Sequence, residues 1–116
     1  MAVDLYLIDR MRRILESRLV AWYEKKMFGG RCFMVDEKMC FVARRNGGLM
    51  VRIDPAESEA LLTREGASQM VHGNRTMSGF LYLTPEACAE DAELEFWLDK
   101  CLEYNPRARA SKKKKR

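Results

Sequence analysis

Residues 20–53 read VAWYEKKMFGGRCFMVDEKMCFVARRNGGLMVRI, and the two-residue alternation in this stretch, interrupted by short polar or glycine-bearing breaks, decides the fold. Val20, Trp22, Glu24 and Lys26 alternate with Ala21, Tyr23, Lys25 and Met27, with β-branched and aromatic residues where a strand favours them. Gly29-Gly30 closes that strand in a tight turn. Arg31 to Val35 and Lys38 to Arg44 read as a second and third strand, joined by a hairpin at Asp36-Glu37. The pair lacks the glycine that two-residue turns favour, which leaves the turn type open. A two-residue loop sets Cys32 opposite Phe41 and Phe33 opposite Cys40. The two thiols then face opposite ways, and no disulfide can join them. Asn46, Gly47 and Gly48 supply a further turn, and Leu49 to Ile53 forms a fourth strand.

On the N-terminal side, Leu5, Ile8, Met11, Ile14 or Leu15, and Leu19 recur at three- and four-residue steps. That period predicts an amphipathic helix, with Asp4 as its N-cap. On the C-terminal side, Asp54-Pro55 opens a second helix, because aspartate caps and proline suits a first turn whose N–H has no partner. Gly66 is expected to end it in a left-handed C′ conformation. A polar connection containing His72, Gly73 and Asn74 follows, then a fifth strand from Met77 to Leu83 with Gly79 inside it. Thr84-Pro85 repeats the helix start signal. Leu94, Trp97 or Leu98, Cys101 and Leu102 form an apolar stripe at helical spacing to about Tyr104, with a recapping point near Asp91, before Asn105-Pro106 stops it.

The order α-β-β-β-β-α-β-α implies an α+β, two-layer sandwich: an antiparallel sheet of about five strands with helices packed on one face. With 116 residues and 13.5 kDa, folding buries roughly two-thirds of the extended chain's surface, enough for one core. Mean hydropathy is −0.38, and no apolar run approaches the ~20 residues that cross a bilayer. No signal peptide precedes the first helix, so a cytoplasmic protein with reduced thiols and no membrane contact is expected.

The net charge of +4 is unevenly spread. Residues 107–116 hold seven cations and no acid, whereas residues 1–106 carry 14 Lys and Arg against 17 Asp and Glu, a net −3. The first 106 residues therefore read as the folded domain, and residues 107–116 as a disordered basic tail.

Catalytic chemistry finds little support. His72 is the sole histidine, and no acidic residue in its loop orients the imidazole; a small enzyme using His72 or Cys88 is the least favoured reading. Cys32 and Cys40 fall in strands and Cys101 on the buried stripe, where a thiol packs as a small hydrophobe. The four cysteines contain no metal-finger spacing. No cofactor, metal or catalytic residue is assigned. Lys25, Lys26 and Arg31 flank the Gly29-Gly30 turn and are candidate anion or nucleic-acid contacts, although no phosphate-loop motif accompanies them. Lys112, Lys113, Lys114, Lys115 and Arg116 in the tail could bind nucleic acid nonspecifically. Acids repeated along the last segment form a solvated face or a docking surface for a basic partner. The eight methionines serve core filling or an adaptable interface.

Lys25-Lys26-Met27-Phe28-Gly29-Gly30, followed by Phe33-Met34-Val35, Lys38-Met39-Cys40 and Leu49-Met50-Val51-Arg52-Ile53, resembles the N-terminal domain of the TfoX/Sxy family of bacterial competence regulators. Gly73-Asn74-Arg75-Thr76-Met77-Ser78-Gly79-Phe80 and the segment from Leu94 through Trp97 look like that family's second half. The matching motif residues are Met27, Phe28, Gly29, Gly30, Arg52 and Gly79. The resemblance implies a compact α+β domain, here a stand-alone copy lacking the C-terminal domain of full-length relatives. Those relatives act in transcription regulation alongside a cyclic-AMP receptor protein. It thus implies a non-enzymatic regulatory or interaction module working through protein–protein contacts, with the transcription machinery or a cyclic-AMP receptor protein as partner. The alternative is a nucleic-acid-binding accessory protein that uses the basic tail.

Overall fold

A computed structural model describes residues 4–27, 29–45 and 47–108, with His72 described in its backbone alone. Helix α1 (Leu5–Arg18) starts where Asp4 accepts hydrogen bonds from the Tyr6 and Leu7 amides at 3.0 and 3.2 Å. Strands β1 (Trp22–Met27), β2 (Gly30–Val35), β3 (Lys38–Ala43) and β4 (Leu49–Arg52) follow. After a 3₁₀ turn at Pro55–Glu57 come a single helical turn, α2 (Ser58–Leu61), and strands β5 (Ala67–His72) and β6 (Arg75–Leu83). A second 3₁₀ turn (Pro85–Cys88) leads into α3 (Asp91–Tyr104), and a third (Asn105–Arg107) precedes the last described residue, Ala108.

The sheet has six antiparallel strands in the order β1-β2-β3-β4-β6-β5. The α+β class, the antiparallel sheet and the packing of helices on one face agree with the sequence. The expected count of about five strands is corrected to six, because 67–72 pairs with β6 instead of forming a polar connection. Gly73, at φ +63°, occupies the first position of the two-residue turn that joins them. Gly-first is the pattern of a type II′ hairpin. The second helix is also shorter than expected. Thr63 returns its hydroxyl to the Ala60 carbonyl at 2.7 Å, and the chain leaves the helix there instead of continuing to Gly66.

The hairpin turn settles as a left-handed pair: Asp36 and Glu37 have φ of 55° and 64°, the type I′ geometry built without glycine. Its register differs from expectation beyond the first two pairs. Val35 faces Lys38 and Met34 faces Met39, but Phe33 then faces Phe41 and Cys32 faces Val42. A bulge at Cys40 inserts one residue, so Cys40 and Phe41 both join the helix-side core. Cys32 remains on the other face, so the two thiols do point apart as expected.

The helix-side core joins α1 (Ile8, Met11, Leu15) and α3 (Leu94, Trp97, Leu98) to the sheet (Phe33, Phe41, Leu49, Val51, Leu81), all at most 1% exposed. Phe33 and Phe41 stack with centroids 5.1 Å apart. Arginines tie the outer edges together. Arg18 of α1 grips Asp99 and Glu95 of α3 at 2.8 and 3.1 Å, and Arg10 reaches Asp91 at 2.9 Å.

Candidate interaction surface

Strand alternation sends every second side chain away from the helices. On that side Cys32, Met34, Val42 and Met50 are at most 5% exposed, and half-buried Met27, Met39, Met70, Phe80 and Tyr82 pack around them. Among the described residues no helix covers this face. The methionines belong to one packed cluster, in which the Cys32 thiol sits 3.7 Å from the Met34 sulfur. Burial pushes the Cys32 thiol up to about 11, so it is a protonated packing group.

Two arginines lie on aromatic rings of this face. The Arg44 guanidinium stands 4.0 Å from the Tyr82 ring centroid, and that of Arg52 5.4 Å from Phe80. Arg52 also donates from Nη1 to the Met39 carbonyl at 3.4 Å. The charge that Arg52 brings to a strand is thereby accommodated by a ring and a carbonyl.

The cations flanking the Gly29-Gly30 turn do not converge. Lys25 is exposed and pairs in register with Cys32, on the methionine side. Lys26 pairs with Arg31 on the helix side. Arg31 donates to Glu24 at 2.9 Å, and Glu24 also accepts from Arg12 of α1 at 2.6 Å. Arg12 above all, then Arg31, hold the Glu24 carboxyl below its usual range against the opposing effect of burial. Arg31 is therefore part of a strand-to-helix clamp. Gly30 explains its place in the motif by space alone: a Cβ there would lie 2.1 Å from the Ala43 carbonyl oxygen. Gly79, at φ +83°, brings its own carbonyl to the Ile53 amide at 2.8 Å.

The remaining candidates divide as follows. Cys88 is 2% exposed, and burial pushes its thiol up to about 11, the wrong direction for a nucleophile. Cys101 lies against Cys40 in the helix-side core, and its thiol is likewise raised, by burial first and then by its neighbour. The backbone of His72 ends β5, paired with Arg75. Phe28 and the tail candidates Lys112, Lys113, Lys114, Lys115 and Arg116 lie outside the described residues. Arg107, the first tail residue, bonds to Asp54 at 2.9 Å, and Ala108 is 6% exposed.

The family model of the TfoX N-terminal domain matches residues 15–104. The chain belongs to the TfoX N-terminal domain family. No curated protein and no solved structure matches it. The matched span runs from the end of α1 through α3 and takes in all six strands. In this TfoX N-terminal domain the described motif residues divide by side. Met27 and Arg52 belong to the methionine face, while Gly30 and Gly79 fix backbone approaches within the sheet. Sequence periodicity alone could not reveal that face as a surface, because alternating Met and Cys read as filling for either side. The signal that could have found it is Arg44 and Arg52, cations on the same parity as the methionines. No helix of the described residues is long and apolar enough to cross a membrane.

Proposed function

We propose that this TfoX N-terminal domain is a non-enzymatic regulatory module of the bacterial cytoplasm that acts through protein–protein contacts. Family membership over residues 15–104 carries this reading. The helix-free methionine face supports it, because thioether-rich surfaces repack around protein partners. The partner class is the transcription machinery or a cyclic-AMP receptor protein. Affinity capture from the bacterial host, with the intact chain as bait and quantitative mass spectrometry as readout, is expected to enrich a transcription component. Enrichment of none would overturn the reading.

A second reading is kept because seven of the last ten residues are cationic: nonspecific nucleic-acid binding through the tail. The Arg107–Asp54 bond and buried Ala108 make residue 109 the place to truncate. Anisotropy with a labelled duplex across a salt series separates the two. Polyanion binding is lost with residues 109–116, whereas a protein contact through the folded domain survives.

A further inference from the structure

Resting on the regulatory-module reading, we propose that the helix-free sheet face docks an acidic amphipathic segment of a partner protein, with apolar residues seated on the methionines and carboxylates held by Lys25 and Arg44. The first support is charge. Residues 1–106 are net negative, yet the strand positions of this face carry Lys25 and Arg52 and no carboxylate, Arg44 follows at the end of β3, and the acid at its margin, Glu37 of the hairpin turn, accepts from the Tyr23 hydroxyl. On the helix side, by contrast, Arg10, Arg12, Arg18, Arg31 and Arg64 each meet an acid within 3.1 Å. Lys25 and Arg44 meet none among the described residues. Two cations that meet no acid, Lys25 and Arg44, on an acidic body make this face complementary to an acidic ligand.

The second support is chemistry. The Arg44 guanidinium is held over the Tyr82 ring at 4.0 Å, and a guanidinium positioned by one contact keeps N–H donors with which a carboxylate can form two bonds. Half-buried Met27, Met39 and Met70 offer thioethers that adjust to a helical row of apolar side chains. Single-stranded nucleic acid fits less well. Base stacking requires open ring faces, and Tyr82 and Phe80 already carry guanidinium groups.

The test titrates isotope-labelled protein with an amphipathic peptide of about 18 residues, long enough for five helical turns, built from Leu and Glu. A Leu and Lys counterpart and an oligothymidylate of about 12 nucleotides serve as competitors for the same face. The Glu peptide is expected to shift the amides of Met34, Val42, Met50 and Tyr82, and to bind more weakly as salt rises. Combining Lys25→Glu with Arg44→Glu is expected to weaken it roughly tenfold or more. Lys26→Glu, on the opposite face of the same strand, is expected to leave it unchanged. Where Arg44→Glu prevents folding, Lys25→Glu at its exposed position carries the test, with a loss of about threefold. No binding of the Glu peptide, binding insensitive to charge reversal, or preferential binding of oligothymidylate would overturn the proposal. A transcription component captured from the host equally well by the charge-reversed variant would overturn this surface and leave the regulatory reading standing. Failure of both forms to capture one would remove that reading itself.

Discussion

The two faces of one sheet are built from different materials. On one, Phe33, Phe41 and Leu81 of the strands meet Trp97 and Leu98 of α3, large side chains with few rotamers, all at most 1% exposed. On the other face stand Met34, Met50 and Cys32, also buried, but with half-buried Met27, Met39, Met70, Phe80 and Tyr82 packed against them instead of a second layer. Low exposure on the first face comes from helix-on-sheet packing, and on the second from side chains folding over one another. Removing a side chain from the first face therefore leaves a cavity that rigid neighbours cannot fill. A gap on the second can close by rotation of a thioether.

The largest effect that sharpens this contrast is expected from Trp97→Ala, which should cost about 3–5 kcal/mol in urea denaturation. Met39→Ala on the open face should cost about 1 kcal/mol, since Met39 is only half-buried and its neighbours can shift. Equal losses at the two sites would break the distinction.

Next is Glu24, which binds α1 to the sheet through Arg12 and Arg31. Its carboxyl is held below the ordinary 4.5 in the fold. Its stabilising contribution is therefore present above that pH and lost as pH falls through the lowered folded value. Glu24→Gln should cost about 1–2 kcal/mol at neutral pH, discounted because Arg12 is 42% exposed. The variant should also flatten the acid limb of the stability curve. An unchanged acid limb would remove the clamp from the helix side.

The thiols divide between the faces as well. Cys32 and Cys88 keep their protons up to about 11, against an ordinary 9.0. Stability is accordingly full below about pH 9 and declines as pH rises from there toward 11. With a maleimide reagent, Cys32 under its methionine cover should react roughly tenfold faster than Cys101 under α3, because local opening suffices for the first. Single-cysteine variants read out by mass spectrometry check this, and the reverse order would contradict it.

The smallest effect is expected at the turn. Replacing Asp36-Glu37 by Asn-Gly relieves two left-handed non-glycine residues and should raise stability by about 1 kcal/mol. The loss of the Tyr23–Glu37 hydrogen bond at 3.2 Å offsets part of that gain. Lower stability in thermal melts would mean that the hydrogen bond outweighs the backbone strain.

Much of this arrangement was legible in the residues. Asp4, Thr84-Pro85 and the Leu94 to Cys101 stripe located caps and helices, because capping and helical periodicity are local signals. The β1 to β4 meander followed from alternation, and the TfoX N-terminal motifs pointed to the family. The strand at 67–72 escaped because Ser68 and Gln69 break its apolar pattern at the sheet edge. Gln69 turns its amide inward to three carbonyls, those of Met70, Met77 and Phe80, a contact made only once β6 is alongside. Gly73-Asn74 between two short runs was the available hint. The interaction surface was legible in part: Lys25, Met27 and Arg52 were singled out by sequence. Arg44 was not, because its role depends on Tyr82 two strands away.

The bulge at Cys40 acts as a phase shifter for the hairpin. With Phe41 and Ala43 committed to the helix side, uninterrupted alternation would place Met39 inward and Lys38 outward. The inserted residue reverses that parity at the hairpin tip and aims Lys38 at the end of α3, where its ammonium donates to the Asn105 and Pro106 carbonyls at 3.1 and 3.2 Å. A cation thus meets the negative pole of the last helix. One extra residue in the middle of a strand thereby determines how the turn that follows α3 is fastened to the second hairpin strand.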